Sequence, residues 1–430
     1  MKTINRRTLL AAMGALPVTR LSLGSAQALP SYEDYVAGMA WEKAAIDQFL
    51  DPSEPNWATF DPLVGYRHSN AVMKDGIDGS YCIYRMEPSG ERRKIHFADR
   101  PCRINTYGDS FTHCDQVSDG ETWQEYLAAH FGEPVRNFGT GGYGVYQAYR
   151  RMLREEGTDS SAPFVLFNVW IDDHRRSMMS VRWFHIRFFR DLIAGLQSPY
   201  YFHANPWCHV RFDLDSGELR EFENTHPKPE DLYLICDPEY VVSNYRDDLY
   251  LQMEYAMDGG NPPNLERMKR LAELVGLEAR WDSQEAISKS AEQLFWHSGM
   301  KASEVIVQWA RKWADENQKK LLFLVSYRGG DVAAACRQEP RLDQVFIDYL
   351  NREQVPYVDS LQKHVEDYEQ FSLPLDRYLK RYYNGHYAPA GNHFFAFAIK
   401  DDLLKWLDPA PFTYQKDQPS IADISAVLAL

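Results

Sequence analysis

Strand-like and helix-like segments alternate from residue 103 to residue 407, and this order constrains the fold more than any other feature of the chain. In such an alternation each helix runs back across a face of the sheet, so that every strand starts from the same end of the sheet and neighbouring strands are parallel. The sequence therefore predicts an α/β protein, a three-layer α/β/α sandwich with a central, mainly parallel five-stranded sheet. The predicted strands are 103–107, 135–138, 164–170, 320–327 and 355–359, and the predicted helices are 121–131, 144–156, 301–317, 341–352 and 392–407.

The rest of the chain divides around this α/β domain, which is predicted to span residues 101–410. Residues 29–100 form a predicted lead-in packed on the core, with a helix from Tyr32 to Phe49 and strands around 65–67 and 80–86. The segment from about residue 180 to residue 300 is longer than one helical crossover requires, so it is predicted to be an insertion. Their many aromatic side chains either contact substrate or form a small core of their own. Residues 411–430 form a predicted C-terminal tail.

The N-terminus has the pattern of an export signal. Arg6 and Arg7 precede a mildly apolar stretch from Leu9 to Leu23, and the sequence then reaches the small-residue site Ala26-Gln27-Ala28. Residues 1–28 are therefore predicted to be a twin-arginine signal peptide, which implies a periplasmic or secreted protein. The apolar stretch is too short to cross a bilayer, so no membrane span is predicted.

Composition excludes several classes of partner. The formal net charge is −14, which disfavours nucleic acids and anionic membranes. The six cysteines show no zinc-ligand spacing, and Cys82 with Cys102 is the favoured pair if a disulfide forms. Asp172-Asp173-His174 could offer metal ligands, but no supporting histidine spacing accompanies it. We predict no metal and no cofactor; the expected partner is a small-molecule or polysaccharide substrate, and the sequence fixes no oligomeric state.

A candidate nucleophile lies in Gly108-Asp109-Ser110-Phe111-Thr112, directly after the first predicted core strand. Glycine permits a tight turn, and the strand would place Ser110 at the carboxyl edge of the sheet, where open α/β folds bind ligands. An ordinary β-turn has the same composition. A serine hydroxyl needs a neighbouring base, and His386, in a glycine-containing loop before the last predicted helix, is the expected one.

Together these segments resemble the SGNH (GDSL) hydrolase superfamily. The Gly-Asp-Ser block with Thr112, and the spacing from His386 to Gly391, match that family's first and last blocks. The resemblance implies a flavodoxin-like SGNH hydrolase fold with Ser110 and His386 as catalytic residues. It also implies that the backbone N–H groups of Ser110 and Gly142 bind the oxyanion, since Gly142 lies five residues after Asn137 in a block like the family's second.

Two positions depart from the family pattern. Asp172 stands where the family has an oxyanion-binding asparagine, and it could help only if protonated; the amide of Asn168 is a possible substitute one strand period earlier. Asn384 stands two residues before His386, where the family has an aspartate. A neutral amide can orient a histidine but does not stabilise its cation as a carboxylate does. Asp376, Asp172 or Asp173 could supply the missing charge, unless the block alignment is offset by one or two residues.

The predicted function is ester hydrolysis through a Ser-His relay and an acyl-enzyme, most consistent with an O-acetyl or other acyl ester on a carbohydrate. Ser110, His386, Asn384 and Asp172 are the predicted catalytic residues. Two alternatives remain open: a glycoside hydrolase using Asp172 and Asp173 on the same fold, and a catalytically impaired carbohydrate-binding protein. The predicted substrate contacts are Asp109, Asp173, Tyr143 and His174.

Overall fold

The computed structural model describes residues 29–53, 56–182 and 205–415. The lead-in begins with two helices, α1 (Tyr32–Ala37) and α2 (Lys43–Leu50), where one continuous helix was predicted. Helix α1 ends at its C-cap Gly38, a residue of low helix propensity, and α2 does not begin until Lys43. Two antiparallel hairpins follow, formed by β1 (Ala58–Asp61) with β2 (Gly65–His68) and by β3 (Ala71–Met73) with β4 (Cys82–Tyr84).

A five-stranded, all-parallel sheet forms the centre of the molecule, as predicted. Its strands, in spatial order, are Tyr357–Asp359 (β11), Lys320–Ser326 (β10), Phe164–Trp170 (β7), Ile104–Tyr107 (β5) and Arg136–Asn137 (β6). This is the order of flavodoxin-like sheets, in which the direction of winding reverses between the first and third strands, here β5 and β7. The strands after the lead-in are β5 (Ile104–Tyr107), β6 (Arg136–Asn137), β7 (Phe164–Trp170), β8 (His209–Phe212), β9 (Leu219–Phe222), β10 (Lys320–Ser326), β11 (Tyr357–Asp359), β12 (Tyr383–Asn384) and β13 (His386–Tyr387).

Helices pack on both faces of the sheet. Their bounds are α3 (Ser110–His113), α4 (Trp123–Phe131), α5 (Val145–Glu155), α6 (Asp173–Arg176), α7 (Pro238–Tyr245), α8 (Leu249–Met257), α9 (Leu265–Val275), α10 (Gln284–Glu316), α11 (Gly329–Cys336), α12 (Gln344–Arg352), α13 (Ser360–Glu369), α14 (Leu375–Tyr382) and α15 (Pro389–Trp406).

The side chains of β7 alternate between two separate hydrophobic clusters, as expected for a strand buried on both faces. Val165 and Phe167 join the cluster that contains α5, α10 and α12. Phe164 and Leu166 join the other cluster, which contains α4 and α15. The arrangement is consistent with the predicted three-layer sandwich.

The predicted insertion contains the β8–β9 hairpin and helices α7, α8 and α9. Its predicted end near residue 300 is too late, because the crossover helix α10 already begins at Gln284. The predicted helix 301–317 is only the second half of α10. Among the aromatic residues that marked the insertion, Trp207 and Tyr245 are buried, and those between 183 and 204 lie outside the described residues.

The predictions for the two termini, for membrane spans and for the cysteines have different outcomes. The predicted signal peptide and all but five residues of the predicted tail fall outside the described residues. None of the described helices combines the length and the apolarity that crossing a bilayer requires. All six cysteines are free thiols, so the predicted pairing of Cys82 with Cys102 is wrong.

Candidate active site

Ser110 is the first residue of α3, and it stands at the carboxyl end of β5 beside the point where the sheet reverses its winding. Gly108 makes this position possible with a φ of +150°. A Cβ on Gly108 would lie 2.2 Å from Thr112 Oγ1 and 2.6 Å from the carbonyl oxygen of Asn168, so no larger residue fits. Asp109 caps the helix by accepting the Phe111 N–H at 2.9 Å. The strand and the cap together fix the serine.

His386 reaches Ser110 from the other end of the chain. Its Nε2 lies 2.8 Å from Ser110 Oγ. The histidine belongs to the short β12–β13 hairpin, which turns at Gly385 with a φ of +93° just before α15. Ser110 Oγ also lies 3.3 Å from a carboxylate oxygen of Asp109, a longer contact than that to the imidazole. The structure therefore brings together the two residues that sequence reasoning assigned as nucleophile and base.

Gln116, which sequence reasoning missed, holds the other side of the imidazole. Its Oε1 accepts the backbone N–H of His386 at 2.7 Å and lies 3.1 Å from His386 Nδ1. Its Nε2 donates to the carbonyl oxygen of Asp75 at 3.2 Å. These backbone partners identify which amide atom is oxygen, since a backbone N–H only donates and a carbonyl only accepts. His386 Nδ1 must then carry the proton, which leaves Nε2 as the acceptor facing Ser110.

Asn384 does not take the predicted position beside His386. Its amide nitrogen donates to the same carbonyl oxygen of Asp75, at 3.1 Å. In the β12–β13 hairpin Asn384 is paired with His386, and its side chain is directed to the lead-in rather than to the imidazole. The predicted role of Asn384 in orienting His386 is therefore corrected, because Gln116 makes that contact.

Charged groups near His386 act on its pKa in opposite directions. Burial lowers the pKa of His386 below its ordinary value; the carboxylate of Asp115 partly opposes this, and Arg176 adds to it. Asp115 is itself hydrogen-bonded to His113, with Oδ1 2.7 Å from Nδ1. Burial raises the pKa of Asp115 to about 6, against the effects of His386 and nearby arginines. Asp115 is therefore the described carboxylate whose charge acts on the base, at a distance rather than by contact.

Asp172 is bound by arginines and does not act on Ser110 or His386 directly. Its Oδ1 accepts from Arg175 Nε, and its Oδ2 lies 2.7 Å from Arg176 Nη2. Although burial alone would raise it, these two arginines hold the pKa of Asp172 below its ordinary range. An ionised, ion-paired carboxylate can neither donate to an oxyanion nor protonate a leaving oxygen. The predicted catalytic role of Asp172 is corrected accordingly.

Asp109 and Asp173 form a buried pair around Arg176. The guanidinium donates to Asp173 at 3.0 Å and lies 3.9 Å from Asp109. Burial raises the pKa of Asp109 to about 6, and burial together with the charge of Asp109 raises the pKa of Asp173 well above its ordinary value. Both side chains are almost wholly inaccessible. They hold the loops that follow β5 and β7, and the prediction that they contact substrate is corrected.

Tyr143 and His174 are also buried, so the prediction that they contact substrate is corrected too. The hydroxyl of Tyr143 donates to the carbonyl of Tyr66. His174 Nδ1 lies 2.8 Å from Ser303 Oγ on α10, and burial lowers the pKa of His174 to about 4. Neither side chain is accessible to a substrate in this structure.

The loop from Asn137 to Gly144 offers one N–H for an oxyanion. The N–H groups of residues 140, 141, 143 and 144 each have an intramolecular acceptor, but that of Gly142 donates to none within the part of the chain that the structure describes. The Ser110 N–H, at the start of α3, has no acceptor within its helix. By contrast, the amide of Asn168 donates to Thr112 Oγ1 at 3.1 Å beneath the sheet edge, so its predicted oxyanion role is corrected.

His68, His113 and Asp115 form a buried group next to this loop in which one atom of each lies within 4.8 Å of the others. The two imidazole rings are stacked, with centroids 4.1 Å apart and planes 24° from parallel. Ring lone pairs lie in the ring plane, so stacked rings do not direct theirs to a common point. His68 Nε2 already accepts the Gly141 N–H at 2.7 Å. The geometry fits a hydrogen-bonded stack better than a metal centre.

A cavity of about 740 Å³ lies elsewhere, between the β8–β9 hairpin and helices α8 and α9. Its lining includes none of the predicted site residues. Arg211 and Asp248 in its wall form an ion pair at 2.6 Å. The cavity therefore adds no group to the chemistry around Ser110.

The residues that sequence reasoning missed come from two places, the loop after α3 and the lead-in. Gln116 and Asp115 follow Ser110 closely, but no local pattern marks a side chain that contacts a histidine 270 positions later in the chain. Tyr66, His68 and Asp75 belong to the lead-in, which was predicted only to pack on the core. A scan against protein-family models and a search of curated proteins find no match to this chain.

Proposed function

We propose that the protein is a serine ester hydrolase. The observation that carries the proposal is the continuous set of hydrogen bonds from Ser110 Oγ to His386 Nε2, at 2.8 Å, and from His386 Nδ1 to Gln116 Oε1, at 3.1 Å. The second bond fixes the tautomer in which Nε2 is free to remove a proton. The resemblance to the SGNH hydrolases in the blocks around Ser110 and His386 supports the same reading.

The reaction would begin with attack of Ser110 Oγ on the ester carbonyl carbon. His386 Nε2 takes the hydroxyl proton, the carbonyl π electrons move to the oxygen, and the N–H groups of Ser110 and Gly142 stabilise that oxyanion. When the oxyanion collapses, the alkoxy oxygen leaves with the proton from His386. Water then attacks the acyl-enzyme by the same steps, with His386 first as base and then as acid, and releases the carboxylic acid.

Because Gln116, the partner of His386, is uncharged, it limits how far the imidazolium is stabilised and therefore how fast the reaction runs. Gln116 orients the imidazole, but a carbonyl stabilises the imidazolium less than a carboxylate in contact would. The charge of Asp115 supplies part of the difference. We therefore expect slower turnover than a relay with an aspartate, and esters with good leaving groups as the easiest substrates.

The substrate class proposed is an acyl ester on a carbohydrate, such as an O-acetyl group. The predicted export signal in residues 1–28 and the acidity of the chain favour a soluble or polymeric substrate outside the cytoplasm over an anionic lipid surface. Glycoside hydrolysis by Asp172 and Asp173 finds no support, since arginines bind the first and burial isolates the second.

The test is release of acetate, and separately of reducing sugar, from acetylated and plain polysaccharides by the purified protein. Ser110→Ala is run beside it, with Ser243→Ala as a matched control because the Ser243 hydroxyl lies on α7 and donates to the carbonyl oxygen of Glu239 in its own helix. Acetate release that disappears with Ser110 alone supports the proposal. Reducing ends that persist in Ser110→Ala would overturn it.

A further inference from the structure

We infer that Tyr66, in the lead-in, is a positioning residue that aligns and polarises the Gly141–Gly142 peptide toward the oxyanion, with Arg182 acting through its hydroxyl. The inference rests on the proposed function, because it needs an oxyanion formed at Ser110. It assigns a role in the reaction to a strand that lies outside the α/β domain.

The geometry starts from the peptide group itself. The carbonyl of Gly141 and the N–H of Gly142 belong to one peptide unit, and only Asp408-Pro409 is cis among the described bonds. In a trans peptide the C=O and N–H bonds point in opposite directions. The Tyr66 hydroxyl lies 2.8 Å from the Gly141 carbonyl oxygen. Holding that oxygen on the Tyr66 side therefore turns the Gly142 N–H to the other side.

A second contact from the same strand holds the preceding peptide. His68 Nε2 accepts the Gly141 N–H at 2.7 Å. Tyr66 and His68 are two residues apart on β2, so their side chains leave the same face of the strand. Gly141 is thus fixed through both its N–H and its C=O by one strand of the lead-in. The Gly142 N–H cannot turn away without breaking one of these bonds.

The direction of the Tyr66 hydrogen bond is determined by its chemistry. Tyr66 is wholly buried, and burial raises the pKa of its hydroxyl to about 12 despite the opposing effect of Arg182 and Arg176. The hydroxyl is therefore protonated at neutral pH. A carbonyl oxygen only accepts, so the Tyr66 proton is directed to Gly141, and the oxygen lone pairs of Tyr66 remain for a donor.

Arg182 is that donor, since its side chain hydrogen-bonds to the Tyr66 hydroxyl. The same small volume brings the three groups together: a Cβ on Gly142 would meet Arg182 Nη1 and lie 2.4 Å from the Tyr66 oxygen. Gly142 has a φ of +91°, so both conformation and space require glycine.

The hydrogen-bonded series runs from the Arg182 guanidinium to the Tyr66 hydroxyl, which donates to the Gly141 carbonyl of the peptide unit that ends in the Gly142 N–H. Hydrogen bonds in series polarise one another, and a bond to a carbonyl makes the N–H of the same peptide a better donor. The positive charge of Arg182 would then be felt at the oxyanion without direct contact. The effect is greatest in the transition state, where the oxygen is most negative.

The experiment compares Tyr66→Phe with the unaltered protein, using p-nitrophenyl acetate as substrate and phenylboronic acid as a tetrahedral analogue that bonds to the serine. We expect kcat to fall about tenfold, and the inhibition constant of phenylboronic acid to rise by a similar factor, with a fall in melting temperature no larger than that of the control variant. Tyr250→Phe is the control, since it removes another buried hydroxyl whose bond goes to Ser298 on α10.

A double-mutant cycle tests whether Arg182 acts through Tyr66. Arg182→Lys should reduce kcat in the unaltered protein and have little further effect in Tyr66→Phe. If Tyr66→Phe does not fold, fluorotyrosine at position 66 keeps the ring shape and makes the hydroxyl a stronger donor, so kcat should rise.

Two results would overturn the inference: kcat of Tyr66→Phe within twofold of the unaltered protein, or independent effects of the two substitutions. These differ from failure of the proposed function, in which the unaltered protein and Ser110→Ala would hydrolyse the ester equally.

Discussion

A neutral amide accepts the Nδ1 proton of His386, and this contact sets the chemistry available at the residue scale. Gln116 and Asn384 both donate to the carbonyl of Asp75, but only Gln116 touches the imidazole. The two amides therefore form a matched pair: both bond to the carbonyl of Asp75, and Gln116 alone of the two also contacts His386.

Replacing each amide by alanine separates these roles. Gln116→Ala should lower kcat by about ten- to a hundredfold, because the histidine loses the partner that fixes its tautomer. Asn384→Ala should change kcat by less than about threefold, since it loses only the bond to Asp75. Steady-state kinetics on p-nitrophenyl acetate measure both. Equal losses in the two variants would contradict the assignment of Gln116.

The pH dependence of the rate follows from the neutral form of His386 being the base. Burial lowers the pKa of His386, so activity should persist below the ordinary histidine pKa and fall only as the imidazole protonates at lower pH. Asp115 acts in the opposite direction. Burial raises the pKa of Asp115 itself to about 6, so this group is only partly ionised over the limb, and Asp115→Asn should move the acidic limb of the kcat/KM profile only slightly, to lower pH. A limb that moves upward would contradict this electrostatic account.

At the scale of elements, the turn after β5 carries Ser110, the proposed nucleophile. Gly108→Ala places a Cβ 2.2 Å from Thr112 Oγ1 and 2.6 Å from a backbone oxygen of β7. We expect the free energy of unfolding to fall by about 2–4 kcal/mol and the rate to fall with it. Gly120→Ala is the control, since nothing lies within 4 Å of its Cβ position. Denaturant unfolding measures both, and a Gly108→Ala protein as stable as the control would contradict the model of the turn.

Asp172, just before α6, pairs with two arginines of that helix, so its substitution should lower the stability of the protein without lowering its activity. Asp172→Asn removes the carboxylate that Arg175 and Arg176 share, although Arg176 keeps its pair with Asp173, so the free energy of unfolding should fall by about 1–3 kcal/mol, while the rate per folded molecule is kept. The pKa of Asp172 is lowered in the folded state, so its stabilisation is present at neutral pH and is lost as the pH falls through that pKa. Thermal unfolding at several pH values tests this. Loss of activity in folded Asp172→Asn would restore Asp172 to the chemistry.

Helices and strands were predicted well where the pattern of apolar residues in the sequence was local and regular. The buried strands β7 and β10 read as continuous apolar runs, so both were placed within a residue of their observed ends. Helix α11, at a glycine pair, gave no such signal and was missed. Helix α14 was also missed, although its sequence is amphipathic and buries Tyr378 and Tyr382 four residues apart. Ser110 and His386 were predicted to lie together because each stands in a short block that resembles a known family. Asn384 was predicted to contact His386 only because it lies two residues away in the sequence, and in the structure Gln116 makes that contact.

At the scale of the whole molecule, the lead-in completes both the core and the candidate site. Trp57, Tyr66 and Tyr84 belong to the same buried cluster as Phe167 of the central sheet. The lead-in also supplies His68 and Asp75 to the hydrogen bonds around the active site. No pattern in residues 29–100 indicates these contacts, because they join segments that are far apart in the chain.

A chain that starts at residue 101 should therefore fail to fold cooperatively, although it contains the entire central sheet. Removing residues 29–100 takes Trp57, Tyr66 and Tyr84 out of the buried cluster that they share with Phe167 and exposes the apolar surface against which they pack, and the loss exceeds what a marginally stable domain tolerates. Near-ultraviolet circular dichroism during heating measures this. A sharp transition with retained ester hydrolysis would show that the lead-in is dispensable.

The central claim is that Ser110 is a nucleophile activated by His386, and covalent labelling tests it without knowledge of the substrate. The purified protein is treated with a fluorophosphonate and examined by intact mass and peptide mapping, beside Ser110→Ala and His386→Ala. We expect one adduct per chain, located on Ser110 and absent from both variants. Failure of the unaltered protein to react, or an adduct on another residue that persists in Ser110→Ala, would contradict the account.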